Sequence, residues 1–367
     1  MRLLLQVVVF VLIAGSLSGR GAETNADGWR LAVPGYQISF PRDHLPHRDF
    51  RTEWWYFTGN LRSHEGREFG YQVTFFRYGY RPPSQPTSTS SRFVMDDLKF
   101  AHFAVTDIQN KHFYYDSRVS RGAFGEAGFG KGDRLAWIDD WVLSFGPDFH
   151  LSAATPDYSL DLQLRAEKLP LLQGDKGLSQ KADGEGRASY YYSMTRLVTS
   201  GSMKIGNETY QVTGNSWFDR EWATNQLGDR QVGWNWFAIQ LGDGSDLMLY
   251  QMRLKDGSLD PHSCGKWVGA DGVTADLGVH DFELISRKSW QSPSTGANYP
   301  VEWKLVIPKL QLELTISPRV ENQELNVSVV YWEGAIKLQG QRQRQPIEGV
   351  GYMELTGYQG ATPEVKE

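Results

Sequence analysis

Apolar and polar residues alternate one for one along much of this chain, and that period of two constrains the fold more than any other feature. Leu160, Leu162, Leu164 and Ala166 interleave with Asp161, Gln163, Arg165 and Glu167. Leu310, Leu312, Leu314 and Ile316 interleave with Gln311, Glu313 and Thr315, and Val301, Trp303, Leu305 and Ile307 follow the same rule. Successive side chains of an extended strand point to opposite faces, so these segments read as half-buried antiparallel strands with one wet side. Further strands are predicted over 51–61, 68–79, 97–108, 134–145, 187–200, 208–218, 232–241, 246–254, 280–289, 330–339 and 349–357. No long amphipathic helix is predicted. Gly-containing turns such as Arg62–Gly66 and Gly242–Ser245 join neighbours, which indicates an all-β sandwich or barrel. Residues 82–91 and 174–186 read as solvated loops, either of which would serve as a lid over a cavity mouth.

Two Trp-rich segments lie about half a chain apart. Glu53-Trp54-Trp55-Tyr56-Phe57 opens the first, and the second runs from Trp217-Phe218-Asp219-Arg220-Glu221-Trp222 to Gly233-Trp234-Asn235-Trp236-Phe237. Trp54, Phe57 and Leu61 are spaced like Trp234, Phe237 and Leu241, and Tyr71-Gln72 then matches Tyr250-Gln251. Each copy is a strand, a turn and a strand ending near an arginine, Arg77 or Arg253. Together with the strand count this predicts two similar β halves joined near residues 222–232.

The same segments hold the candidate site. On a strand, Trp217, Asp219 and Glu221 share one face and Phe218, Arg220 and Trp222 the other; Glu53, Trp55 and Phe57 lie opposite Trp54, Tyr56 and Thr58. A carboxyl set against rings loses hydration, its pKa rises, and it can act as an acid near neutrality. Asp219, Glu53, Tyr190 and Tyr192 are the candidate catalytic residues. Trp55, Trp217, Trp222, Trp234, Trp236, Arg220 and Glu221 are the candidate binding residues. The competing readings are structural: Arg220 or Arg51 paired with a carboxylate, and Tyr190-Tyr191-Tyr192 as an aromatic ladder. His44-Leu45-Pro46-His47 lacks a third ligand nearby, so no metal is predicted. No Gly-x-Ser-x-Gly elbow and no phosphate loop occur.

Arg2 precedes an apolar run from Leu3 to Ala14, followed by Ser16, Ser18, Gly19 and Gly21. That is the layout of a secretory signal over 1–22, with an uncleaved anchor as the alternative and the only route to membrane contact. The single cysteine, Cys264, forms no intramolecular disulfide, which suits a bacterial periplasm or secretion without disulfide staples. A net charge of −5 without a basic stripe gives no sign of nucleic acid.

Phe40–His44, Thr52–Leu61, Ala188–Ser193, Ser216–Trp222 and Gly351–Tyr358, in that order over residues 30–360, resemble the AttH/CrtC family. That family includes carotenoid 1,2-hydratases and proteins labelled secreted or lipocalin-like hydrolases. The resemblance implies two consecutive lipocalin-like antiparallel β-barrel domains, over 29–225 and 226–360. It implies no cofactor and a hydrophobic small molecule, isoprenoid or lipid-like, as ligand. An Asp proton donor maps onto Asp219, and its His, Trp and Tyr neighbours map near Tyr190, Tyr192 and Trp217, where the side chains differ. The exported branch accompanies envelope ABC transporters. Hydratase, hydrolase, lipid carrier and accessory subunit of such an exporter all stay open at this point.

Overall fold

A computed structural model of the chain describes residues 24–85, 91, 94–225 and 227–359. The signal segment expected over 1–22 lies outside them, as does 86–90 of the first loop. The described residues form two antiparallel sheets. The first comprises β1 (Thr52–Ser63), β2 (Glu68–Gly79), β3 (Asp97–Asp107), β4 (His112–Ser120), β5 (Ala127–Lys131), β6 (Arg134–Ile138) and β7 (Trp141–Phe145). It continues through β8 (Phe149–Ala154), β9 (Tyr158–Ala166), β10 (Leu171–Leu172), β11 (Leu178–Gln180), β12 (Ala188–Ile205) and β13 (Glu208–Ala223). The second holds β14 (Gln231–Leu241), β15 (Asp246–Leu254), β16 (Cys264–Val268), β17 (Thr274–Gly278) and β18 (Glu283–Gln291). It is completed by β19 (Asn298–Ile307), β20 (Leu312–Pro318), β21 (Glu324–Asn326), β22 (Val330–Arg342) and β23 (Gln345–Leu355).

Each sheet curls into a near-barrel of the lipocalin-like kind, as expected. In the first, the order is β4-β3-β2-β1-β13-β12-β9-β8-β7-β6-β5, with β10 and β11 also on β12. Arg118 on edge strand β4 donates to the Ile138 carbonyl at 3.1 Å and the Ala154 carbonyl at 3.0 Å, and so ties the rim where the curl closes. Inward rings and aliphatics such as Trp55, Phe57, Phe103, Trp141 and Leu162 fill this barrel. The second sheet runs β17-β16-β15-β14-β23-β22-β20-β19-β18, with β21 on β22, around a separate core that includes Phe237, Leu305, Leu314 and Trp332.

The repeat read from the sequence is a repeat of topology. β1 pairs with β2 on one side and β13 on the other; β14 pairs with β15 and β23. Each Trp-rich strand is therefore the seam at which its barrel's chain start meets its chain end. The last strand of the first sheet ends at Ala223 and the first strand of the second begins at Gln231. A third apolar cluster, with Tyr56, Trp217, Trp236, Met248 and Tyr352 at its centre, fills the space between the two barrels' outer faces.

Two local expectations change. The segment 134–145 is a hairpin, because Asp139 takes a left-handed conformation (φ 53°) and reverses the chain between β6 and β7. A short polar side chain tolerates that conformation and a two-residue turn requires it. The loop 174–186 is partly ordered on the sheet, since Leu178–Gln180 pairs with β12 and carries Lys181 to the seam between the barrels.

Candidate active site

The seam encloses a cavity of about 210 Å³. Its first-barrel wall is the outward face of β1, β2, β12 and β13, with Trp54, Tyr56, Phe76, Tyr191 and Asp219. Its second-barrel wall is built by Trp234, Trp236, Tyr250, Met252, Tyr331 and Glu354. The cavity lies between the barrels and not inside either one. Rings dominate it because β1 and β14, the two Trp-rich strands, both turn their even-numbered aromatics outward at the seam.

Asp219 and Glu221 are the carboxyls on the first wall, and Asp219 is held by hydrogen bonds from neutral donors. Asp219 is 4% exposed, and no cation among the described residues contacts it. Tyr191 Oη donates to Oδ2 at 2.5 Å, Ser193 Oγ to Oδ1 at 2.6 Å and Trp217 Nε1 to Oδ1 at 2.7 Å. Trp236 Nε1, from the second barrel, donates to Tyr191 Oη at 3.2 Å, so a hydrogen-bond chain crosses the seam to the acid. Burial is the dominant influence and pushes Asp219 up to about 7; the three donors oppose it without cancelling it. At neutral pH the group is therefore divided between acid and base forms, the condition in which a carboxyl transfers protons in both directions.

The pairing register explains which sequence candidates meet here. Ser193 stands directly opposite Asp219 and Tyr191 opposite Glu221, so residues 191 and 193 share the cavity face. Tyr190 and Tyr192 pair with Trp222 and Arg220 and face the first barrel's interior instead. There the Tyr190 hydroxyl donates to the Val33 carbonyl at 2.7 Å, and the Tyr192 hydroxyl meets His44 Nδ1 at 2.6 Å. Glu53, Trp55, Arg220 and Trp222 are on that same inner face. Glu53 is fully buried and accepts hydrogen bonds from Arg77 and Arg220, and from the His47 backbone N–H at 2.9 Å. The two guanidiniums hold it well below the ordinary carboxylate range although burial alone would raise it. Arg220 lies 3.7 Å over the Trp55 ring, and His47 stacks on Trp222 at 3.8 Å. These six candidates form a structural ion-and-ring cluster away from the cavity. Asp219, Trp217, Glu221, Trp234 and Trp236 are brought together at the seam.

Several cavity groups were not singled out from the sequence. Lys181 forms an ion pair with Glu221 at 3.2 Å, its ammonium lying 4.3 Å from the Tyr250 ring centroid. Tyr191 was visible only as the middle of a tyrosine triplet. Glu354 was visible only as an isolated acid in the apolar strand Gly351–Leu355. Trp234 Nε1 donates to Glu354 at 2.5 Å, and burial pushes that carboxyl up to about 7. Of the two loop histidines, His44 is buried against Tyr192 and His47 is bonded to Asp43 at 3.0 Å.

Residues 31–358 match the family described as AttH-like. A crystal structure of an AttH from Nitrosomonas europaea is similar over 89% of this chain and 99% of its own, at 34% identity and a TM-score of 0.80. Kievitone hydratase from Nectria haematococca shares the fold over 90% of this chain and 97% of its own, at 15% identity and a TM-score of 0.68. The dehydratase AsqC of Emericella nidulans is 23% identical over 290 residues, 72% of this chain and 79% of that protein.

Proposed function

The chain belongs to the AttH-like family, and on that footing we propose that it adds water to, or removes water from, an apolar molecule held in the seam cavity, without a cofactor and with Asp219 as proton carrier. The observation that carries this reading is a carboxyl buried among rings and poised near neutrality, with no cation of the described residues in contact with it. Protonated Asp219 gives its proton to an alkene carbon, a tertiary cation forms, and water adds to it. In the reverse sense the Asp219 carboxylate takes a proton from the carbon beside a departing hydroxyl. Tyr191, Trp54 and Trp236 present ring faces to the cation, and such contacts are worth about 2 kcal/mol when water is excluded. The dehydratase name of the Emericella nidulans relative supports water chemistry over hydrolysis.

The volume suits one branched terminus or one ring, with the rest of the molecule leaving through the mouth. A prenyl-type end is the favoured substrate group, and 2-methylhept-2-ene is a fitting probe. In D₂O the wild type is expected to wash deuterium into the alkene, at a rate that falls as pH rises through about 7 because the acid form is consumed. Asp219→Asn is expected to lose at least about 100-fold of that exchange. Wild-type levels of exchange in the variant would end the assignment. Native mass spectrometry of protein from its own host identifies the natural ligand.

A non-catalytic lipid carrier would have its cavity acids neutralised by a neighbouring arginine, Arg220 or Arg51. Arg220 is engaged with Glu53 on the far side of the sheet, so that requirement lacks support at Asp219. We also propose export through residues 1–22, with an envelope transporter as partner. N-terminal sequencing of the mature protein tests the first, and an intact Met1 would exclude cleavage.

A further inference from the structure

The two halves place a carboxyl at the same position of the same row. In the first barrel, residues aligned across neighbouring strands are Thr74, Tyr56, Asp219 and Ser193, on β2, β1, β13 and β12. In the second they are Tyr250, Trp236, Glu354 and Glu333, on β15, β14, β23 and β22. Tyr56 and Trp236 hold the equivalent place in the repeat, and Asp219 and Glu354 each follow on the strand that closes the barrel. The two acids thus stand on facing walls of one cavity. The crossing contacts are equivalent too. Trp236 reaches over to Tyr191 beside Asp219, and the Tyr56 hydroxyl reaches over to Glu333 Oε1 at 2.7 Å beside Glu354.

Resting on the water chemistry read at Asp219, we infer that Glu354 is its second catalytic residue, the group that moves the proton of the water or hydroxyl while Asp219 moves the proton on carbon. Glu333 is the positioning residue behind it. Glu333 is fully buried, stands directly across from Glu354 in the β22–β23 register, and its Oε2 has no hydrogen-bond partner among the described residues. A buried carboxylate oxygen left bare costs free energy, whereas one proton held between the two glutamates satisfies both. Desolvation and the neighbouring Glu354 push Glu333 far above the carboxylate range, so the proton resides there, and Glu354 ionises first, near 7.

The steps balance. In hydration, Asp219 loses a proton to the alkene carbon; water forms the C–O bond to the cation; Glu354 carboxylate accepts the proton that water releases. Solvent then returns a proton to Asp219 and removes one from Glu354. Dehydration runs the same steps backward, with protonated Glu354 delivering its proton to the departing hydroxyl.

This division of labour separates two isotope exchanges. Alkene deuterium wash-in from D₂O needs only Asp219. Oxygen exchange between 2-methylheptan-2-ol and H₂¹⁸O needs only Glu354, because the hydroxyl leaves and labelled water returns through one group. Glu354→Gln is expected to cut oxygen exchange by at least about 100-fold and leave wash-in in place; Asp219→Asn gives the opposite pattern. Oxygen exchange unchanged in Glu354→Gln overturns the role of Glu354 and leaves that of Asp219 standing. Unchanged wash-in in Asp219→Asn overturns the reading at Asp219 instead, and a wild type that exchanges neither label overturns both. Should Glu354→Gln melt cold, Glu333→Leu serves. Loss of the hydrogen bond to the Glu354 carboxylate is expected to move the pH profile of oxygen exchange upward, and an unmoved profile overturns the inference.

Discussion

Glu53 and Asp219 are both buried carboxyls on adjacent strands of one sheet, yet their chemistry differs because the sheet has two faces. Glu53 looks inward, where the register sets Arg77 directly across from it on β2 and Arg220 reaches it from β13. Asp219 looks outward, where its neighbours are two hydroxyls and an indole, all neutral donors. Burial is the largest influence on each and acts in the same direction. The partners decide the outcome: two cations overcome desolvation, three neutral hydrogen bonds do not. An acid near neutrality thus arises where a carboxyl is satisfied geometrically but not electrostatically.

Removing the charge from each site separates the two roles. Glu53→Gln leaves Arg77 and Arg220 buried without their counter-charge and is expected to destabilise the protein by about 3–5 kcal/mol, read in chemical denaturation. A loss below about 1 kcal/mol would mean the cluster is not structural. The sign of the pH dependence follows. With its folded-state pKa depressed, Glu53 contributes stability above its unfolded pKa and loses it as pH falls through and below the ordinary carboxylate range. Asp219 runs the other way. Its pKa is raised, so its contribution is complete below about 4 and is lost as pH rises toward 7. Asp219→Asn is therefore expected to be more stable than wild type at pH 8, by up to about 4 kcal/mol, and equal to it at pH 4. Equal stability at both pH values would place the carboxyl in an environment that solvates its charge.

That contrast was half legible in the sequence. Alternation put Asp219 and Glu221 on one face and Arg220 and Trp222 on the other, and the repeat of Trp54 and Trp234 pointed to two similar β halves. Which tyrosines share the face of Asp219 was not legible, because that parity is fixed by the register between β12 and β13. The two strands meet across a hairpin, with an irregularity between Met194 and Leu197. One residue of slip exchanges Tyr190 and Tyr192 for Tyr191 and Ser193. The same limit hid the fate of Glu53. Alternation left open which carboxylate Arg220 or Arg51 would meet, and both Arg220 and Arg77 reach Glu53 only through the pairing of β1 with β13 and β2. Glu354 and Glu333 sit 21 positions apart in the chain, and nothing before strand pairing makes them a couple.

The smallest expected effect is also the one that measures the neutral donors directly. Tyr191→Phe keeps the ring on the cavity wall and removes the 2.5 Å hydrogen bond to Asp219 Oδ2. A hydrogen bond to a charged group is worth about 1.5–3 kcal/mol, so losing this one raises the pKa of the acid by roughly one to two. The falling limb of the deuterium wash-in profile should then move from about 7 toward higher pH, while the rate below that limb changes little. Trp236 Nε1 loses its acceptor in the same variant, so a modest drop in melting temperature accompanies the shift. A limb that stays in place would mean Tyr191 does not stabilise the ionised form, and that burial alone sets the acid. A limb that moves to lower pH would contradict the assigned direction of the hydrogen bond, with Tyr191 accepting from a protonated Asp219.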